Sequence, residues 1–462
     1  MHLSRALRVR PKDVIVLVGA GGKTTLMFRL AGELAAAGQR VVTTMTTKIF
    51  AGQMAQAPGS LVLEGKDASL DRLGEMLAQY SHVLVVGSGG VEAEKVQGLP
   101  PVLVDRIAAQ RDLEVDAVIV EADGSRGRPF KAPAGHEPVI PDSATVVVPV
   151  AGLDVLGCPL IAEHVHRPHL VAALTETHLG DPVTPEMMAA VLAHPDGGAK
   201  GVPPSARLVP FLNKAEDDSA FDAARQIARL LLAHPRIDGV LIGAAQAADP
   251  VREVWSRSGA VILAAGEAKR FGTPKQLLPW RGKSLVAHVV EQALVCPDVD
   301  RVTVTVGARA DEVEAALPMD LTGFGKLVRS VRVPDWSEGQ SRSVQQGLEA
   351  VAPAVLTPGS GPLGAVLFLL ADQPGVTPEL LSDLVRRHRE TLAPVVAPRY
   401  QRQRGNPVLF DRATFPEFTR LQGDVGARPI IQAHLHEIAW VDWPTPEILG
   451  DIDTAEDYCP EA

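Results

Sequence analysis

Three cysteines in 462 residues, Cys158, Cys296 and Cys459, lie far apart with no Cys-x-x-Cys pair. That is too few for a disulfide framework or a four-thiolate metal cluster, and a reducing, cytoplasmic setting is expected. Aromatic residues make up only 4 % of the chain, which argues against stacking platforms for single-stranded nucleic acid. A basic excess is missing too: 45 Lys and Arg stand against 55 Asp and Glu, a formal net charge of -10. A general DNA or RNA binder is therefore not expected. No apolar run approaches the roughly 18 residues of a bilayer span, and the arginines between Met1 and Pro11 are not followed by an apolar stretch, so neither membrane insertion nor export is expected. An anionic ligand would have to be met by locally placed cations, backbone N–H groups or metal ions, because the net field repels it.

What is present is the balance of a folded chain, 46 % hydrophobic and 22 % charged, and at roughly 100–200 residues per domain the length suggests two or three domains. A short apolar run at Val14 to Val18 leads into a glycine cluster and a helix pattern over Thr24 to Ala37, ended by Gly38. Strands are predicted at Arg40 to Thr44, Val83 to Val86, Ala117 to Val120, Thr145 to Val150, Leu208 to Leu212 and Val240 to Gly243, with a helix at Phe221 to Ala233. This alternation predicts a parallel α/β sheet. Around Ala248 to Ser258, Asp249-Pro250 and a polar, arginine-containing stretch start no evident core element, and the pattern then begins again. Two domains are expected, residues 1–250 and 257–462. The second opens with a strand at Ala260 to Ala264, a helix at Ser284 to Val295 and strands at Arg301 to Val306 and Ala365 to Leu370.

In the first half, Gly19-Ala20-Gly21-Gly22-Lys23-Thr24-Thr25 sits between a predicted strand and helix. Backbone N–H groups and the positive helix end can hold phosphate there, Lys23 can neutralise the β/γ-phosphates, and Thr24 or Thr25 can reach Mg²⁺. Leu17 stands where the ordinary P-loop has its first glycine, so the loop is shortened and P-loop-like. Its spacing resembles the ATP loop of Mur-type ligases, and the bland alternative is a glycine-rich turn with a solvated lysine. Glu121 and Asp123 follow a strand and are candidate Mg²⁺ ligands, with Arg126, Arg128 and Lys131 available for a second anion. Thr43 to Lys48 adds hydroxyls and a lysine at another strand end. His164, His166 and His169 cluster in sequence, yet without cysteines a metal site is the less favoured reading. Asn213-Lys214-Ala215-Glu216 is near a guanine-reading Asn-Lys-x-Asp loop, but Glu216 breaks that pattern and a turn into a helix is preferred.

These motifs, with Thr47-Lys48-Ile49, Glu121 to Pro141, Glu163 to Pro168 and Phe211 to Lys214, resemble the YqeC-type family of selenium-dependent hydroxylase accessory proteins over most of residues 8–245. The resemblance implies a nucleotide-binding helper, using ATP or another nucleoside triphosphate, for a molybdenum hydroxylase apoprotein.

In the second half, Val261 to Gly266 is a buried strand ending in small residues, followed by Arg270, Gly272 and Thr273-Pro274-Lys275-Gln276. After Leu263, the small residues Ala264, Ala265 and Gly266 let backbone N–H groups approach a base and triphosphate, while Arg270 and Lys275 neutralise phosphate. Ser343 stands at a predicted helix start, Asp372 ends the most apolar strand, and Asp451 and Asp453 lie near the C-terminus. Carboxylates from separate strand ends can share one Mg²⁺ with substrate phosphate, although Asp451 reads equally well as a cap. With Arg404 to Phe410 and Gly423 to Arg428, these strings resemble the molybdenum cofactor cytidylyltransferases, in the MobA-like nucleotidyltransferase superfamily, over about residues 258–460. Ala268 departs from the serine usual in that family. The resemblance implies a Rossmann-like domain that transfers CMP from CTP to molybdopterin. Lys275 and Arg270 would stabilise phosphate charge, Asp372 and Asp453 hold Mg²⁺, and Gly423 to Arg428 contact the pterin side. A different phosphorylated acceptor, such as a sugar phosphate, and a first half acting only as a nucleotide-switched binding module are the alternatives.

Overall fold

The structure, a computed structural model, describes residues 1–47, 49–65, 68–92, 95–267, 274–318, 326, 328–353, 361–452 and 458. It forms two compact units, Met1–Trp255 and Ser256–Ala462. In the first, the principal strands are β1 (Asp13–Gly19), β2 (Val41–Met45), β3 (His82–Glu92), β4 (Ala117–Glu121), β5 (Val146–Gly152), β6 (Phe211–Asn213), β7 (Val240–Gly243) and β8 (Val251–Trp255). Their order across the sheet is β8-β7-β6-β5-β1-β4-β2-β3, parallel throughout except between β7 and β8. Every residue of β1 before Gly19 is buried, as a parallel strand covered on both faces requires. Helix α1 (Lys23–Ala36) buries Leu26, Met27, Leu30, Ala31 and Leu34 as it crosses to β2, and α2 (Asp218–Leu232) joins β6 to β7. Strands β2 to β4 lie on one side of β1 and β5 to β7 on the other, so the strand order reverses at β1, where a ligand crevice is expected outside the carboxyl ends.

Two expectations are corrected in this unit. The single strand over Leu208 to Leu212 is two pieces, Arg207–Leu208 and β6, each paired to β5, with Pro210, which has no N–H to donate, in the break. Residues 251–255, read as part of a coreless stretch, form β8 with Val254 and Trp255 buried.

In the second unit, β9 (Arg257–Ala264), β10 (Arg301–Val306), β11 (Val328–Arg332) and β12 (Leu363–Leu370) are followed by β13 (Val395–Tyr400), β14 (Val408–Asp411) and β15 (Ala439–Asp442). The order is β11-β10-β9-β12-β14-β13, with β15 on β13, and the first four are mutually parallel. Along β9, Ala260, Ile262 and Ala264 enter one apolar cluster and Val261 the other, the period-two alternation of a strand between two layers. Helices α3 (Leu285–Val295) and α4 (Gln340–Val351) join the parallel strands, and α5 (Pro378–Thr391) follows β12. Taken in chain order the parallel strands run 3-2-1-4, the Rossmann arrangement, which reverses between β9 and β12. Both units are α/β. Among the described residues no helix is long and apolar enough to cross a membrane.

Candidate functional site

In the first unit the loop after β1 is shaped by close backbone packing. Gly21 has φ +83, and a Cβ there would lie 2.3 Å from Gly152 N and 2.7 Å from Pro129 O, so no side chain fits. Gly22 caps α1 at φ 119 with no side-chain capping bond, leaving the first-turn N–H groups to the loop side, as an anion site needs. Lys23 is buried rather than solvated. Its Nζ donates to Gly19 O at 2.7 Å and stands 3.3 Å from Asp123 Oδ1 and 3.6 Å from Glu121 Oε1. Gly19 N donates to Asp123 Oδ2 at 3.0 Å, and Thr24 Oγ1 donates to Glu121 Oε2 at 2.8 Å. Thr25 lines a cavity of about 220 Å³ beside Gly21 and Gly22.

Other expected residues are otherwise engaged. Lys131 does not face a second anion: its buried Nζ donates to Asp123 Oδ2 at 2.9 Å, Gly124 O at 2.8 Å and Glu137 Oε2 at 2.8 Å. Arg167 grips Glu137 at 2.6 and 3.1 Å. Burial works against the Glu137 charge, but the hydrogen bonds from Arg167 and Lys131 prevail and hold its pKa at about 2. Burial, with the charges of Arg167 and Lys131, drives His166 down to about 4, so this imidazole is neutral at pH 7. Among the described residues no group of three or more His, Cys, Asp or Glu is arranged to hold a metal. Thr43 and Thr44 are buried and bonded to His82 and to Val85 O, not presented to phosphate; Lys48 lies outside the described residues.

In the second unit, the ends of β9 and β12 meet where the strand order reverses. Leu263 pairs with Leu370, and Ala371 N donates to Leu263 O at 3.2 Å. A cavity of about 550 Å³ opens there, lined by Leu263, Ala264, Ala265 and Gly266 together with Lys275, Ser343 and Asp372. Residues scattered over more than a hundred positions are thus brought to one wall. Arg270 and Asp453 lie outside the described residues, although neighbouring Ile452 N donates to Asp372 O at 3.2 Å. Asp424 also lines the cavity, its segment docked on α4 by Gln340 N donating to Asp424 Oδ1 at 3.1 Å and Ser341 N to Gly423 O at 3.2 Å. Sequence reasoning missed Gln276 as a site residue: it is buried, and its Nε2 donates to Ala264 O and Gly266 O at 3.3 Å each, clamping the small-residue turn. It also missed Trp336 and Glu338 on the wall; both belong to a short 3₁₀ turn with no pattern of its own.

The family described as YqeC protein matches residues 15–169, and the family described as MobA-like NTP transferase domain matches residues 260–438. The chain belongs to both families, one in each unit. The uncharacterized protein YqeC of Escherichia coli (strain K12) is 38 % identical over 203 residues, 44 % of this chain and 75 % of that protein. The nicotine blue oxidoreductase of Paenarthrobacter nicotinovorans is 31 % identical over 206 residues, 42 % of this chain and 92 % of its own. The purine catabolism protein PucB of Bacillus subtilis (strain 168) is 29 % identical over 202 residues, 43 % and 92 % respectively. The loop at Gly19 to Thr25 therefore lies in the YqeC domain, and the larger cavity in the MobA-like transferase domain.

Proposed function

We propose that the transferase domain moves CMP from CTP to molybdopterin, and that the YqeC domain binds a nucleoside triphosphate and assists maturation of a molybdenum hydroxylase apoprotein. The observation that carries the first part is one cavity at the strand reversal holding Lys275 and Asp372 beside a turn of small residues. In the reaction a terminal phosphate oxygen of molybdopterin attacks the α-phosphorus of CTP; the new P–O bond forms as the bond to pyrophosphate breaks. Both reactants are anions, so positioning and charge neutralisation carry the catalysis. Lys275, with Arg270, neutralises the transferring group and the leaving pyrophosphate, the Ala264 to Gly266 backbone and Ser343 seat the nucleotide, and Gln276 fixes that turn. Asp372, a carboxylate on the cavity wall, fits Mg²⁺ coordination, with Asp453 as its partner; the ion would supply further charge stabilisation on the phosphates.

In the YqeC domain the all-oxygen pair of Thr24 hydroxyl and Glu121 carboxylate, already 2.8 Å apart, fits the same ion. Asp123 has its two oxygens turned to Lys23, Lys131 and Gly19 N, which suits an anchor for Lys23 and the loop better than a metal ligand.

Pyrophosphate release by the full chain tests this, with CTP, GTP or ATP as donor and molybdopterin or a sugar phosphate as acceptor. Turnover is expected with CTP and molybdopterin; turnover with a sugar phosphate alone would replace the acceptor. A redox reading is favoured by the name of the Paenarthrobacter nicotinovorans relative, and dye reduction without pyrophosphate release would establish it instead.

A further inference from the structure

The smaller cavity joins the Gly21-Gly22 loop to two segments that the proposed function leaves unused, Asn213 to Glu216 and Ala244 to Gln246. Asn213 is buried at the end of β6 and ties all three together: its Nδ2 donates to Gly21 O at 2.6 Å, and its Oδ1 accepts from Ala245 N at 2.9 Å. Lys214 also lines the cavity, and its Nζ donates to Asp154 Oδ2 at 2.6 Å. Glu216 and Gln246, both exposed residues, complete this side of the lining.

We infer that this cavity is a base site selective for guanine, so that the nucleotide of the YqeC domain is GTP or GDP; this rests on reading the Gly19 to Thr25 loop as its phosphate site. A carboxylate can only accept hydrogen bonds. Guanine alone among the common bases offers it two adjacent donors, the N1–H and the N2 amino group, whereas adenine sets a bare N1 lone pair against it. The Gln246 amide supplies a donor for guanine O6. The glutamate that breaks the aspartate pattern keeps the acceptor chemistry and adds one methylene. Asn213 is a positioning residue that holds the base end and the phosphate end in register.

The test is equilibrium binding of GDP, ADP and XDP to the full chain with saturating CTP present, scored as the part of the binding that Lys23→Ala removes. GDP is expected to bind at least tenfold more tightly than ADP. In Glu216→Gln, GDP affinity should fall by about tenfold to a hundredfold, while XDP affinity rises, because xanthine carries a carbonyl where guanine has its amino group and the new amide can donate to it. A folding defect cannot produce that exchange, and Glu216 is exposed, so the variant tests the base site even if Lys23→Ala proves unstable. Equal, Lys23-dependent binding of GDP and ADP, or no exchange in Glu216→Gln, would overturn the guanine site and leave the phosphate loop standing. Absence of any Lys23-dependent nucleotide binding would overturn the loop reading as well.

Discussion

Glu137 is a carboxylate shared by Lys131 and a two-pronged Arg167, and that arrangement has a pH signature. Its pKa falls from the ordinary 4.5 to about 2 because those hydrogen bonds outweigh burial. A carboxylate held lower in the fold than in the unfolded chain adds stability above the unfolded value and loses it as the pH falls through the folded one. The contribution is therefore full above about pH 4.5 and gone near pH 2, worth on the order of 3 kcal/mol. Glu137→Gln should lose about that amount at pH 7 and show a flatter stability profile between pH 4.5 and 2, read from denaturant melts at each pH. An unchanged profile would contradict the shared-carboxylate reading. At this scale the charged candidates were picked out where a glycine or strand end marks them, and Lys275 and Asp372 line one cavity while Lys23 sits between two carboxylates. Lys131 was misjudged because sequence shows a cation but not its acceptors, and Gln276 and Trp336 gave no sign because their roles come from contacts made across the sheet edge.

The loop between β1 and α1 is an element whose path admits no side chain at one point. At Gly21 a Cβ would run into the backbone of Gly152 and Pro129, and φ is +83. Gly21→Ala is expected to destabilise the YqeC domain by about 2–4 kcal/mol. Gly124→Ala, where a Cβ meets nothing within 4 Å, should change stability by no more than about 0.5 kcal/mol. Thermal melts of the two variants check this, and equal effects would mean the loop relaxes. Elements with a continuous apolar run were the most legible: β1 and β4 were read to within about a residue at each end, whereas β9 and β12 begin at Arg257 and Leu363, ahead of the Ala260 and Ala365 read from sequence. Strand β8 was not legible, because Val-Arg-Glu-Val-Trp carries two charges in five positions. Glu253 is buried there, met by Arg225 of the Asp218–Leu232 helix at 2.5 Å and by Trp255 Nε1, which donates to it at 2.7 Å. That pairing spans 28 positions and is invisible to local pattern.

At the scale of the molecule, a chain with a net charge of -10 that is proposed to act on polyanions has to place its cations locally, and the lysines assigned to phosphate, Lys23 and Lys275, fall one in each unit. The apolar clusters are likewise confined: one draws on residues of the first unit, and those packed on β9 and β12 draw on the second. Each domain thus has its own core and its own strand reversal, and each cavity is lined by residues of its own domain. The two activities should then separate by single substitutions in the intact chain. Asp372→Asn removes charge at constant volume and is expected to lower pyrophosphate release by about a hundredfold or more, with the melting profile and the Lys23-dependent nucleotide binding unchanged. Lys23→Ala leaves Glu121 and Asp123 without their shared cation. It should abolish that binding and lower the stability of the YqeC domain, leaving pyrophosphate release within about twofold of the parent, a change near 0.4 kcal/mol and too small to reflect a lost catalytic contact. A larger drop in Lys23→Ala would show that the nucleotide state of the YqeC domain controls the transferase, and the two halves would have to be treated as one regulated enzyme.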